Sequence, residues 1–356
     1  MHATIVHSRH AVIALGISLL AVCGSAQAHL FCVATAQEFQ DALTQSSSFH
    51  TYNLEDNVVT LVHGTYKTGT ATGNTPFFFY SPNSPHSMRI FGGYGDDCTL
   101  PTKQTPPTIL DGNGTTGVLV LRNTYGDIVV NNLTLQNGES DEVGGGLQVN
   151  YSVSVNGSVT IQDNIIRNNH SMVDAGGLYV SGAGIAVQVI GNLIEGNRAD
   201  DLYGAGYVSG FGTNELNQIQ NNTVTQNTSA ASSNPVGGLF CGGTSPCRIS
   251  NNIFITNTAI GLYLGDANAD VEYNDYGTLG GVAPQLSTGN LSVNPKFIDA
   301  SAGNFRLAGD SPLLGVSPQP IYINDLDGNP FTTHYPNKID LGAYEETIFI
   351  DGFDGD

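Results

Sequence analysis

Acidic side chains recur at one place in successive stretches of this chain: Asp141 and Glu142, then Asp174, then Asp200 and Asp201. If those stretches stack, the carboxylates form a column. Such a column could hold Ca²⁺, a cation that takes about six to eight oxygen ligands. It could instead serve a glycoside hydrolase, in which one carboxyl group gives a proton and another attacks or activates water. Asp174, Asp200 and Asp201, with His170 as base, are the candidates. A polysaccharide lyase must neutralise a uronate carboxylate and remove the adjacent proton with Arg or Lys. Between Asn131 and Asp275 the chain offers only Arg167, Arg198 and Arg248. Arg167 falls where Glu195 stands one stretch later, which predicts an exposed ion pair worth at most about 1 kcal/mol. Solvated polar turns account for the acidic positions as well, and no cofactor is predicted. Asp325-Leu-Asp327-Gly328 has part of a Ca²⁺ loop without its remaining ligands, and reads as a tight turn.

Aromatic side chains offer a second chemistry. Short strands opening on glycine read Gly146-Leu-Gln-Val149, Gly177-Leu-Tyr-Val180, Gly206-Tyr-Val-Ser209, Gly238-Leu-Phe-Cys241 and Gly261-Leu-Tyr-Leu264. With Leu and Val facing inward, the outward row is Gln148, Tyr179, Val208, Phe240 and Tyr263. Tyr179, Phe240 and Tyr263 would then form a ladder on which sugar rings could stack, unless a loop such as 199–203 folds over it.

These placements depend on a repeat. Asn132-Leu-Thr-Leu-Gln-Asn137, Asn164-Ile-Ile-Arg-Asn-Asn169, Asn192-Leu-Ile-Glu-Gly-Asn197, Asn222-Thr-Val-Thr-Gln-Asn227 and Asn252-Ile-Phe-Ile-Thr-Asn257 align, with a weaker copy from Asn274. A third strand precedes each, marked by Val129, Ile161, Val189, Ile219 and Ile249. About three short strands per unit, broken by Asn and Gly, describe one coil of a parallel β-solenoid, in which stacked coils share one core. The Asn pairs read as turn ladders, because Asn tolerates left-handed backbone and its amide can bond its counterpart one coil away. Val58 to Val62, Met88 to Phe91 and Gly117 to Leu121 continue the pattern upstream. Thr35 and Glu38 form a capping box for a helix of about nine residues, with Ala34 and Phe39 as a staple, placed to plug the N-terminal end of the stack. Residues 295–346 lose the Asn–Gly rhythm and read as final coils capping the other end. The division is 1–28 signal peptide, 29–294 β-helix with its N-terminal cap, 295–346 capping coils and 347–356 acidic tail.

Composition narrows the partners. The chain of 356 residues carries 11 Lys plus Arg against 31 Asp plus Glu, a net charge of 11 − 31 = −20. That excludes a nucleic-acid-binding surface and disfavours a polyanionic substrate. Arg9 and His10, the apolar run from Ala11 to Val22 and Ala26-Gln27-Ala28 match an export signal cleaved before His29. The run is too short for a membrane span. Four cysteines remain after cleavage, and an even count in an exported chain implies disulfides. The pairing Cys32–Cys98 and Cys241–Cys247 is favoured. The first closes a long loop, and the second brackets a Gly-Gly-Thr-Ser-Pro turn with both cysteines at inward positions.

The repeat resembles the right-handed parallel β-helices of the pectin-lyase-like superfamily. Phe254-Ile-Thr-Asn257 and Gly176-Gly-Leu-Tyr179 are similar to the two halves of polymorphic outer-membrane-protein repeats. Asn294-Pro-Lys-Phe297, Ser311-Pro-Leu-Leu314, Asp325-Leu-Asp-Gly-Asn-Pro330 and Asp340-Leu-Gly-Ala-Tyr-Glu345 resemble a choice-of-anchor terminal region, with Phe331 where that pattern usually has Arg. Ile348-Phe-Ile-Asp-Gly-Phe353 is similar to a short C-terminal motif of some secreted bacterial proteins. The expectation is an exported, all-β, right-handed parallel β-helix, non-enzymatic, binding glycan or another surface. A polysaccharide lyase or hydrolase is the alternative.

Overall fold

Strands of three to six residues with alternating apolar side chains cannot bury one face alone, and here they do so by stacking. The computed structural model describes residues 28–346 apart from 83–84, 100, 102–106, 124, 152–156, 212–215, 267, 319–323 and 332–337. The export leader, except Ala28, and the tail 347–356 lie outside the described residues. The coils run through three long parallel sheets, and four of the coils add a strand to a short fourth one. In one coil the chain runs through Gly157–Gln162 in a ten-stranded sheet, Ile165–Arg167 in an eight-stranded flank sheet, and His170–Ser171 in a four-stranded sheet. It then enters Leu178–Ala183, in a second eight-stranded sheet called here the groove sheet. Ile185–Ile190 starts the next coil directly beside Gly157–Gln162. The expected parallel β-helix is therefore the fold.

Inward positions form continuous ladders. In the groove sheet Leu121, Val149, Val180, Val208, Cys241 and Leu264 lie in one row, all buried. Fully burying such an aliphatic side chain contributes roughly 1.5–3 kcal/mol. The helix Ala36–Ser46, slightly longer than expected, closes the N-terminal end. Thr35 Oγ1 accepts from Glu38 N–H at 3.2 Å, and Glu38 Oε2 accepts from Thr35 N–H at 3.1 Å. Phe39 sits 4.9 Å from the Phe77 ring and covers the first coil. The Cys32–Cys98 and Cys241–Cys247 disulfides form as favoured, the second among buried residues.

The asparagine ladders are present, with a corrected register. One runs through Asn164, Asn192, Asn222, Asn252, Asn274 and Asn290, each Nδ2 donating to the next Oδ1 at 2.8–3.1 Å. The other runs through Asn169, Asn197, Asn227 and Asn257. Each ladder amide also donates to a backbone carbonyl one coil back, as Asn222 does to Val189 at 2.8 Å. The unit starting at Asn132 is offset by one. Ile165 pairs with Thr134, so Leu133 occupies the ladder position, and Val130 rather than Val129 faces inward. Asn132 and Asn137 take left-handed backbone instead (φ 58° and 53°), the corner position that Asp163 and Asn168 hold one coil on. The left-handed turn and the ladder amide are thus adjacent residues with separate tasks.

Residues 295–346 correct another expectation. The described residues of this segment add no strand to the stacked sheets and pack instead against the outside of the flank sheet. Phe297–Asp299 pairs antiparallel with Asn304–Leu307. Phe305, Leu326, Ala343 and Tyr344 close over Leu193, while Leu307, Leu313 and Leu341 close over Ile253. Gly342 N–H donates to Asn251 O at 2.8 Å, and Ala343 N–H to Thr223 Oγ1 at 3.1 Å. Leu193 and Ile253 point away from the solenoid core, and burying them is what holds the segment to the side. The last strand of the ten-stranded sheet, Leu286–Thr288, stays exposed.

Candidate functional site

The acidic positions do not converge. His170 lies between carboxylates of the coils on either side. Its Nδ1 is 2.8 Å from Glu139 Oε1, and its Nε2 is 3.1 Å from Asp200 Oδ1, without the alignment of a formed hydrogen bond. Arg198 Nη2 also meets Asp200, at 2.7 Å. Contact with His170, then with Arg198, holds the Asp200 carboxyl below the usual range. Asp174 instead turns to accept Leu202 N–H at 2.8 Å, and its burial raises its pKa. Asp201 stays exposed. Among the described residues no three His, Cys, Asp or Glu side chains gather closely enough to hold a metal ion. The Asp325 segment is the expected tight turn, with Asp325 Oδ1 accepting the Asp327 and Asn329 N–H groups. Arg167 faces Glu195 in register. Its guanidinium bonds Gln136 Oε1 at 2.8 and 3.0 Å, so the predicted ion pair is not made.

The aromatic ladder exists, again shifted by one residue at a single strand. Tyr179 pairs with Tyr207, Tyr207 with Phe240 and Phe240 with Tyr263. Tyr207 therefore replaces Val208 in the outward row, because Gly206 occupies the place that Leu178 and Leu239 fill in the neighbouring coils. The rings stack on one another with centroids 5.2, 4.6 and 5.9 Å apart. Tyr203, at left-handed φ 65°, tilts over Tyr207 and Phe240. Loop 199–203 thus does cover the stripe, and most ring faces are already in use.

The open part of the same sheet lies at its N-terminal end. The outward row continues from Tyr179 to Gln148, Val120 and Phe78. Residues 74–76, 115–117 and 139–142, with Met172, line a groove of about 530 Å³ over this row. That lies within the roughly 300–1,000 Å³ of small-ligand sites. The corner beside it is tight: a Cβ at Gly176 would collide with the backbone of Arg198 one coil on, which keeps side chains out of this edge. Phe78 stacks near Tyr80 and stays 37% exposed. The Arg122 guanidinium lies 5.7 Å above Phe78 and bonds Glu142 at 2.9 Å, while its Nε is buried without a partner. Gln148 is only 4% exposed, lines the groove, and its amide makes no hydrogen bond to any described residue. Of the sequence candidates, Asp141, Glu142 and Gln148 line this groove; His170, Asp174, Asp200 and Asp201 do not. Phe78, Val120, Arg122 and Glu139 were missed. The alternating run Phe77-Phe-Phe-Tyr80 was the signal that could have placed Phe78 and Tyr80 outward.

No family model matches the chain, and no curated protein matches it. Among the described residues no helix is long and apolar enough to cross a membrane.

Proposed function

We propose that this chain is an exported, extracellular or cell-surface β-helix protein of the pectin-lyase-like kind. On this reading its repeats are of the polymorphic outer-membrane type and its C-terminal region of the choice-of-anchor type, and it binds a glycan in the groove between Phe78 and Gln148 without turning it over. The Gln148 amide carries this reading. The side chain is almost wholly buried, but its amide opens into the groove without a partner among the described residues, and a sugar hydroxyl, donor and acceptor at once, can add a hydrogen bond there worth about 0.5–1.5 kcal/mol. Phe78 adds an apolar face for the C–H side of a sugar ring. The leader-like residues 1–28 and two disulfides favour an oxidising compartment. The charge of −20 speaks against nucleic acid as a partner. The hydrolase alternative placed its chemistry on Asp174, Asp200, Asp201 and His170, which lie outside the groove.

A glycan array with the mature chain, followed by titration of Gln148→Leu, tests the proposal. Leucine keeps the volume and removes the unpaired amide, so binding should fall several-fold, up to about ten-fold, while thermal stability holds. Unchanged binding, or a marked loss of stability with leucine, would give Gln148 a structural task and remove the basis for the site.

A further inference from the structure

We infer that the groove selects a glycan bearing free amines, a glucosamine-type oligomer, over its N-acetylated or uronate counterparts; this rests on the groove being the glycan site. Three carboxylates line it, Glu139, Asp141 and Glu142, against one guanidinium, Arg122. Glu139 is engaged by His170 at 2.8 Å and Glu142 by Arg122 at 2.9 Å. The Arg122 charge is therefore spoken for, and no free cation of the lining is left to receive a uronate carboxylate. Asp141 is exposed on the lining and makes no hydrogen bond or ion pair with any described residue. Arg122 Nε has no partner but is sealed from the groove, so the polar groups left open to a ligand are one carboxylate, Asp141, and one neutral amide, Gln148. An ammonium meets the first and a ring hydroxyl the second. An acetamido group has no charge for Asp141, and a uronate brings a fourth negative charge into a groove that already holds three.

Isothermal titration of the mature chain with tetramers of glucosamine, N-acetylglucosamine and galacturonate tests this, using the wild type, Asp141→Asn and Gln148→Leu. The glucosamine tetramer should bind tightest and weaken with salt. Asp141→Asn should lower its affinity about ten-fold, the scale of one charge-assisted hydrogen bond, and level the preference. Gln148→Leu should weaken all sugars that bind. Preference for the N-acetylated or uronate tetramer, or an Asp141→Asn variant that binds glucosamine as the wild type does, overturns the amine inference; if binding still depends on Gln148, the glycan groove stands. No binding of any tetramer, or binding indifferent to Gln148→Leu, overturns both.

Discussion

Replacing Glu345 with Gln isolates one proton in the segment that straps the flank sheet. Glu345 is 4% exposed. Its Oε2 accepts Asp340 N–H at 3.0 Å, and its own N–H donates to Asp325 Oδ2 at 3.1 Å. Burial, then the charge of Asp340, pushes its pKa from 4.5 up to about 8. The folded chain therefore keeps a proton that the unfolded chain gives up. The stability due to this group is complete below pH 4.5, falls as pH rises, and is gone just above pH 8. The slope in between is about 1.4 kcal/mol per pH unit, which sums to roughly 5 kcal/mol across that window. Gln stays neutral at every pH. Glu345→Gln should therefore match the wild type near pH 5 and exceed it by several kcal/mol at pH 8. Denaturant titrations of both proteins at unit pH steps from 5 to 9 measure the difference directly, and the other carboxyls largely cancel in it. Parallel curves would refute the argument, since a pH-independent gap means that Glu345 is already ionised in the fold. Hydrogen exchange at 325–345 should show the wild-type strap loosening first as pH rises.

The ladder and the aromatic cover make further predictions. Asn222 donates to Val189 O, Gln220 O and Asn252 Oδ1, and accepts from the N–H and amide of Asn192. Asn222→Ala leaves several of these buried groups unpaired and should cost about 3–5 kcal/mol in denaturant titration; a loss below about 1 kcal/mol would mean that water or relaxation replaces the ladder. Tyr203→Ala should destabilise by uncovering the stacked rings. Tyr203→Gly, freed of the left-handed penalty, should lose about 1 kcal/mol less, and equal melting temperatures for the two variants would contradict the strain argument.

The parts of this fold legible in the sequence are those that the solenoid repeats. Ladder asparagines recur because each coil needs the same corner bonds, so even the weak unit at Asn274 marks a true rung. The period failed by one residue at Asn132 and at Gly206, for different reasons. At Asn132 a corner Asn mimicked a ladder Asn. At Gly206 a glycine replaced an inward leucine and drew the strand start back by one. The groove was not legible because no coil repeats it. Phe78, Arg122 and Gln148 come from three successive strands of the groove sheet and Glu139 from the four-stranded sheet, and only stacking brings them together. The strap was misplaced because its apolar residues, such as Phe305 and Leu341, carry no period that says which surface they cover. Leu193 and Ile253, outward-facing yet apolar, were the available hint.

A plain stack of coils is a nearest-neighbour system, able to fray or unzip one rung at a time from either end. The strap alters that behaviour. By packing across Leu193, Thr223 and Ile253, register partners in three successive coils, with a hydrogen bond that joins residues 121 apart in the chain, it gives those coils a second tie beyond the ladders that already join them. Fraying from the exposed Leu286–Thr288 edge should proceed freely until it reaches the strapped coils and then stop, so that under mechanical load the chain releases a short soft portion first and the remainder in a single event.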